Sequence, residues 1–376
     1  MSILGARSRS GVDLAAARER AGAVVDPDIG RPIAELGMLG EVTVDRRGLV
    51  TVTIRLTTST CPLVEVFRVR VTEALAGLEG VADVAVAYEE MSARDRADLA
   101  TSLRAGSPSL TNDLGSRTRI YAVASGKGGV GKSTVTANLA AALAAKGAKV
   151  GILDADVYGY SVPTLFGVAQ ESPVVVGGLM MPVRSHGVAL MSMGFLVPDG
   201  APVVWRGPML HKALEQFLTD VHWGDLDVLL LDLPPGTGDV QLSILELLPS
   251  AALVAVTTPQ KAAREVAQRV VAMARDAAMP IAGVVENMSA LACGHCGQHT
   301  DLFGSGGGAE LALAAGAPLL GQVPLDRALR EAGDLGTPVV LAAPESHSAQ
   351  VLARISATLP VVRRPLVGRA LPLSVV

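Results

Sequence analysis

Cysteine is scarce in this 376-residue chain: three residues, an odd number. That excludes a disulfide scaffold and fits a reducing compartment. Aromatic residues make up only 3% against 49% hydrophobic, so the core has to be built from Ala, Val and Leu. No run approaches the ~18 apolar residues that a membrane helix needs. Residues 1–24 mix Arg7, Arg9, Arg18 and Arg20 with Asp13 and Glu19 and lack the apolar stretch of a secretory signal. Positive charge is not in excess either, with 32 Lys and Arg against 36 Asp and Glu. A net charge of −4 gives no footprint for nucleic acid. The expectation is a cytoplasmic protein with neither a nucleic-acid nor a membrane partner.

What the chain does contain is alternation. Its length suits two domains. Residues 1–24 read as a loose Ala- and Arg-rich tail. Residues 25–92 read as a small α+β domain. Two β-rich runs flank the turn Arg46-Arg47-Gly48, and a helical spacing from Leu63 to Leu75 and a third strand at 81–86 follow. Residues 93–118 are polar and broken by Gly106-Ser107-Pro108 and read as a linker. From 119 to 360 short apolar strands (120–125, 150–154, 228–233, 253–257, 281–286, 319–323) alternate with helical patterns such as 132–146 and 261–277. That order predicts an α/β fold, a mostly parallel sheet flanked by helices. Residues 361–376 read as a second tail, with Pro365 and Pro372 breaking any helix.

The chemistry concentrates in four segments. Gly126-Lys127-Gly128-Gly129-Val130-Gly131-Lys132-Ser133 matches G-x-x-x-x-G-K-[ST] between a strand and a helix. Glycines there let backbone N–H groups turn inward around phosphate oxygens, and the helix N-terminus favours the same anion. Lys132 is expected to reach the β- and γ-phosphates and Ser133 to hold Mg²⁺; Thr134 completes the nucleotide-binding set. Asp232 ends a buried strand, placed to hold Mg²⁺ through water, and Pro234-Pro235-Gly236-Thr237-Gly238 follows as a loop able to sense a γ-phosphate. Asp156 projects into the loop that follows the strand 150–154 and can orient an attacking water, with Asp154 supporting the loop; either acid could instead be a helix cap. A further glycine run lies at 306–308 and reads as partly functional.

Cys293-Gly294-His295-Cys296 brings two thiols together three residues apart. Two thiolates complete neither a tetrahedral site nor a cubane cluster, which takes four. Two copies of the chain would supply the four that a [4Fe–4S] cluster shared by a homodimer needs, but spacing alone does not choose between iron–sulfur and zinc. A zinc site that adds His295 or His299, a redox dithiol and an inert pair stay open. Cys61, at a strand-to-helix junction, is either a surface metal-passing thiol or a buried structural one.

Together these segments resemble the Mrp/ApbC-type iron–sulfur cluster carrier ATPases, P-loop proteins of the MinD/ParA group. Further matching stretches are Leu153–Gly159, Trp205–Met209, Thr258-Pro259-Gln260, Glu286-Asn287-Met288-Ser289, Phe303–Gly308 and Leu320–Asp326. Asp26-Pro27-Asp28, Leu36-Gly37 and Thr60-Cys61-Pro62 resemble the metal–sulfur cluster assembly domain that often precedes this ATPase. The resemblance implies an ATPase of slow turnover that uses ATP and Mg²⁺. It implies a carried [4Fe–4S] cluster, and apo iron–sulfur proteins and an assembly scaffold as partners. It implies that Lys127 crosses a homodimer interface to the partner's nucleotide and that Asn287 reads the adenine edge. A partitioning ATPase and a zinc-bound scaffold ATPase are the alternatives. The chain departs from the pattern at Tyr160 and Gly294, where proline is usual.

Overall fold

The computed structural model describes residues 11–58, 63–106, 118–196, 207–292 and 298–360. The chain divides into two units: residues 1–107 with 174–181, and residues 108–173 with 182–376.

In the first unit, α1 (Leu14–Gly22) precedes the antiparallel pair β1 (Leu39–Val44) and β2 (Leu49–Leu56). The turn between them is closed by Asp45, whose carboxylate accepts the N–H groups of Arg47 and Leu49, at 2.8 and 2.9 Å. Helix α2 (Val64–Leu75) then crosses over to β3 (Asp83–Glu90), which pairs parallel with β2. The expected hairpin, helix and third strand are all present.

Two boundaries need correction. The tail expected over 1–24 is ordered core from residue 11 onward. Asp13 caps α1 by accepting the N–H groups of Ala15 and Ala16, and Val12, Ala17, Ala21 and Val24 are buried. Small side chains let this polar-looking helix approach closely. The linker expected over 93–118 begins as α3 (Ala93–Gly106). Ser92 and Asp95 form a reciprocal cap: the Ser92 hydroxyl and N–H donate to the Asp95 carboxylate, and Asp95 N–H donates back to Ser92 Oγ. Leu99, Ala100 and Leu103 then lay an apolar stripe into the core. The tail expected over 361–376 lies outside the described residues.

The second unit starts with β4 (Arg119–Ser125), α4 (Lys132–Ala144), β5 (Val150–Asp154) and α5 (Val162–Leu165). The strands β6 (Val174–Val176) and β7 (Leu179–Met181) come next in sequence but belong to the first unit. They form a hairpin through Gly177 and Gly178, at φ 54° and 81°, the left-handed pair a two-residue turn demands. Val176 and Leu179 are each 2% exposed and join the first unit's core, and Arg104 donates to Gly178 O at 3.0 Å. Leu179→Ala is expected to cost about 2–5 kcal/mol. Hydrogen exchange should rise in peptides from 39–56 and 93–106, far from the substitution in sequence; a rise confined to 174–181 would show that the hairpin is not part of that core.

The second unit continues with β8 (Val183–Ser185), β9 (Val188–Ser192), α6 (Gly207–Thr219), β10 (Val228–Asp232), α7 (Asp239–Leu247), β11 (Ala252–Thr257) and α8 (Lys261–Asp276). It closes with β12 (Ile281–Ala292), β13 (His299–Thr300), α9 (Gly307–Ala315), β14 (Leu319–Leu325), α10 (Arg327–Asp334), α11 (Val339–Ala342) and α12 (His347–Thr358). Among the described residues the sheet has nine strands, ordered β13-β12-β11-β4-β10-β5-β9-β8 with β14 also on β12. Only β8 and β13 run antiparallel to their neighbours. Continuous apolar runs explain the burial of β5, β10 and β11 at every position. In register, Asp232 of β10 lies beside Asp154 of β5 and Val123 of β4. The fold thus sets two carboxylates side by side where β4 turns into the glycine loop.

Candidate functional site

The loop 126–131 is shaped by what its glycines permit. Gly129 and Gly131 have φ of 77° and 79°, a region that side chains disfavour. A Cβ on Gly126 would lie 2.3 Å from the backbone nitrogen of Ala267 in α8, so only glycine lets loop and helix meet. Ser125 fixes the start of the loop by donating to Lys127 O at 3.0 Å. Gly236 N–H donates to Ser125 O at 2.8 Å, which ties the 234–238 loop to the same point.

Lys132 opens α4 and is 6% exposed. Its ammonium lies 2.7 Å from Asp232 Oδ2 and 3.2 Å from Ser133 Oγ. Ser133 Oγ donates to Asp232 Oδ2 at 2.6 Å, and Thr136 Oγ1 donates to Oδ1 at 2.7 Å. The fully buried Asp232 is therefore held by one ammonium and two hydroxyls. Ser133 and Asp232 present adjacent oxygen donors, the set a hard divalent cation takes; they fit Mg²⁺ and would hold it, to neutralise developing phosphate charge.

Asp154 is fully buried beside this group. It accepts from Asp156 N–H at 3.2 Å, Val162 N–H at 3.3 Å and Ser192 Oγ at 3.1 Å. Burial first, and the Asp232 charge second, push its carboxyl up to about 7, against the opposing pull of Lys132 and these hydrogen bonds. An unfolded carboxyl titrates near 3.8, so between about pH 4 and 7 the folded chain holds a proton the unfolded chain has lost. That stabilisation is complete below about pH 4 and fades as pH rises through about 7. Nucleotide-free protein is expected to lose melting temperature over this window, and Asp154→Asn to flatten the profile. An unchanged slope in the variant would assign the dependence elsewhere.

A cavity of about 570 Å³ opens over the loop, lined among others by Lys127, Ser133, Thr134, Asp156, Tyr158 and Pro235. Its size is that of a small-molecule site. Asp156 Oδ1 accepts Gly159 N–H at 2.9 Å, so this acid shapes the loop on which Tyr158 stands. Lys127 Nζ donates to Gln260 Oε1 at 3.0 Å. Tyr160, one of the two departures, lays its ring against Gly194, where a Cβ would be 2.4 Å from Tyr160 Cδ2.

Gly126, Lys127, Gly128, Gly129, Val130, Gly131, Lys132, Ser133, Thr134, Asp156 and Asp232 thus all meet at this end of the sheet. Asn287 comes to the same place in a different way. Buried in β12, it donates from Nδ2 to Val130 O at 2.9 Å and braces the loop from behind. The glycine run at 306–308 opens α9. The buried Glu286 carboxylate accepts Gly308 N–H there and is held by Gln322 Nε2 at 2.6 Å, so the chain supplies its own anion to α9. Thr136, Ser192 and Gln241 escaped the motif reading, while Gln260 was read only as part of the stretch Thr258-Pro259-Gln260, without its partner. Thr136 alone had a local signal, one helical turn after Lys132. Cys61, Trp205, Arg206, Cys293, His295 and Cys296 lie outside the described residues. The residues that flank the cysteine segment are described: Ala292 and His299 are antiparallel partners, and His299 meets His347 edge-on at 6.2 Å.

Comparison with known proteins agrees with this geometry. A family described as the NUBPL iron-transfer P-loop NTPases matches residues 116–360, and one described as iron–sulfur cluster assembly proteins matches residues 15–87. The iron–sulfur cluster carrier protein of Mycobacterium bovis is 48% identical over 377 residues, covering 97% of this chain and 98% of that one. The chain belongs to the Mrp/ApbC-type iron–sulfur cluster carrier P-loop ATPases. The carrier protein of Synechocystis is 42% identical over 89% of this chain and 93% of its own. Among solved structures, a nucleotide-binding protein from Archaeoglobus fulgidus in complex with ADP is 36% identical with a TM-score of 0.57, covering 68% of this chain and 98% of that one. This member of the family is an ATPase whose N-terminal unit holds the assembly domain. Among its described residues no helix is long and apolar enough to cross a membrane.

Proposed function

We propose that this ATPase carries a [4Fe–4S] cluster between two copies of itself, on Cys293 and Cys296 of each, and passes it to apo iron–sulfur proteins. It would work in the cytoplasm and receive the cluster from an assembly scaffold, with no membrane or nucleic-acid partner. Slow ATP hydrolysis serves as the switch.

One observation supports the coupling. Strand β12 carries Asn287, bonded to the phosphate loop at Val130, and five residues later Ala292, the anchor of the cysteine segment. At about 3.3 Å per extended residue the two lie at most roughly 17 Å apart along the chain. Between the two, Met288 takes the left-handed conformation at φ 57° and the pairing with β14 shifts register. A displacement of the loop therefore has a mechanical route to the cysteines.

On this reading ATP draws Lys132 from Asp232 onto its phosphates, and the backbone N–H groups of 128–131 cradle them. Asp156 aligns water on the γ-phosphorus; the water oxygen bonds to phosphorus as the bond to the bridging oxygen breaks, and the water's proton leaves with the phosphate, giving ADP and phosphate. Lys127 leaves Gln260 for the partner's nucleotide and brings the two cysteine pairs together.

Anaerobic reconstitution with iron and sulfide tests the proposal. We expect two iron and two sulfide per chain, a visible charge-transfer band and a dimer, all lost in Cys293→Ala/Cys296→Ala while ATP hydrolysis persists. Uptake of zinc alone, or a cluster that survives the double substitution, would sink it.

A further inference from the structure

Gln241 sits in the first turn of α7, three residues past the 234–238 loop, and is 1% exposed. Its Nε2 donates to Pro234 O at 2.5 Å. Its Oε1 is buried without a hydrogen-bond partner. The opposite amide orientation would set oxygen against oxygen at Pro234, so that carbonyl fixes which end is left over. Buried acceptors are rarely left unpaired in folded chains, and this one is held against the loop whose residues Pro234 and Pro235 line the nucleotide cavity.

The nearest backbone in need of an acceptor is that of the loop itself. Gly238 is the N-cap of α7 and makes no side-chain cap, so the helix's first amides have no capping oxygen. A Cβ on Gly238 would stand 3.7 Å from Gln241 Oε1. Gly236, at φ 93°, gives the loop a hinge between Pro235 and Gly238.

We propose that Gln241 is the positioning residue by which the 234–238 loop distinguishes ATP from ADP. Nε2 grips Pro234 in the chain as it stands. Oε1 is the socket that takes an N–H from the 237–239 stretch once a γ-phosphate draws the loop toward the cavity. The triphosphate state then pairs an acceptor that the diphosphate state leaves unpaired. Gln241 touches no substrate and acts only through the loop. The inference rests on the reading of that loop as a γ-phosphate sensor.

The test is a titration of the full chain with ADP and with a non-hydrolysable ATP analogue. Gln241→Leu should leave ADP affinity within about two-fold and weaken the analogue at least about five-fold, with kcat falling in step. Its melting temperature should change little, because the unpaired acceptor and the hydrogen bond to Pro234 O are lost together. Gln241→Glu supplies a rescue: at about pH 6 a buried carboxyl is protonated and can donate to Pro234 O while keeping an acceptor, and at about pH 9 it cannot. The ATP preference should return at the lower pH only. Equal loss of both affinities, or a lowered melting temperature with the preference intact, would reduce Gln241 to packing and overturn the proposal. Gly236→Ala separates the two readings. If it leaves the preference intact, the loop is no sensor; if it abolishes the preference and Gln241→Leu does not, only the role of Gln241 falls.

Discussion

Lys132→Ala is expected to slow ATP hydrolysis at least about a hundred-fold, by removing a charge that stabilises the transferring phosphoryl group, and to destabilise the nucleotide-free chain as well. The second effect follows from burial. Lys132 is the ammonium 2.7 Å from Asp232, which is 0% exposed. Two hydroxyl donors, Ser133 and Thr136, remain in the variant, but hydroxyls do not neutralise a carboxylate. Breaking a buried pair by removing one partner costs about 3–5 kcal/mol. Urea unfolding followed by tryptophan fluorescence reads the second unit, because Trp205 and Trp223 both fall in its sequence. The decisive comparison is a cycle with Asp232→Asn. In Lys132→Ala/Asp232→Asn the unpaired charge is gone, so most of the stability should return while hydrolysis stays abolished. Full stability in the single variant would mean that the pair is solvated in solution. Recovery of hydrolysis in the double variant would remove both residues from catalysis.

Much of this site could be read in the sequence because its requirements are local. The phosphate loop is six residues whose backbone needs glycine, and β5 and β10 are unbroken apolar runs that end in aspartate. Their side-by-side register places Asp154 against Asp232 without any further signal. The rest depends on partners far along the chain. Thr136 and Gln241 are unremarkable polar residues until the fold brings Asp232 and Pro234 to them, and Gln260, though part of a matching stretch, shows no partner until Lys127 reaches it. The hairpin 174–181 consists of two three-residue strands, too short to show a period, and its hydrophobic faces find their core in a unit about seventy residues upstream. Helices α1 and α3 looked like tail and linker because alanines make up part of their buried stripes. Even there the caps were visible: Asp13 before α1, and Ser92 with Asp95 around the start of α3. Asn287 shows the opposite case, a residue whose place follows from the resemblance but whose hydrogen bond does not.

Lys127→Ala is the second substitution with a large expected effect, and it separates binding from assembly. On the proposed function Lys132 and the loop amides cradle one chain's phosphates and Lys127 is left for the partner's nucleotide. The variant should therefore bind ADP and ATP analogues within a few-fold of the parent, yet fail to dimerise with either. Its partner in the isolated chain sharpens the test. The ammonium is parked on Gln260 Oε1 at 3.0 Å, and Gln260 is fixed at the N-terminus of α8 by the N–H groups of Ala263 and Arg264 on its carbonyl. A charged hydrogen bond of this kind contributes about 1.5–3 kcal/mol; a phosphate offers a stronger, fully ionic partner. On the proposed function, release is favoured only when a second nucleotide-loaded chain is present, so dimerisation of the cluster-free chain is expected to depend on nucleotide. Gln260→Ala should lower the analogue concentration needed for dimerisation about ten-fold, the equivalent of 1.4 kcal/mol at about 25 °C. Gln260→Glu, which turns the parking contact into an ion pair, should raise it. Light scattering across an analogue titration measures all three variants. Dimerisation of Lys127→Ala at the parent's concentration would leave the lysine without a role between chains, and the shared cluster would have to be held by some other contact.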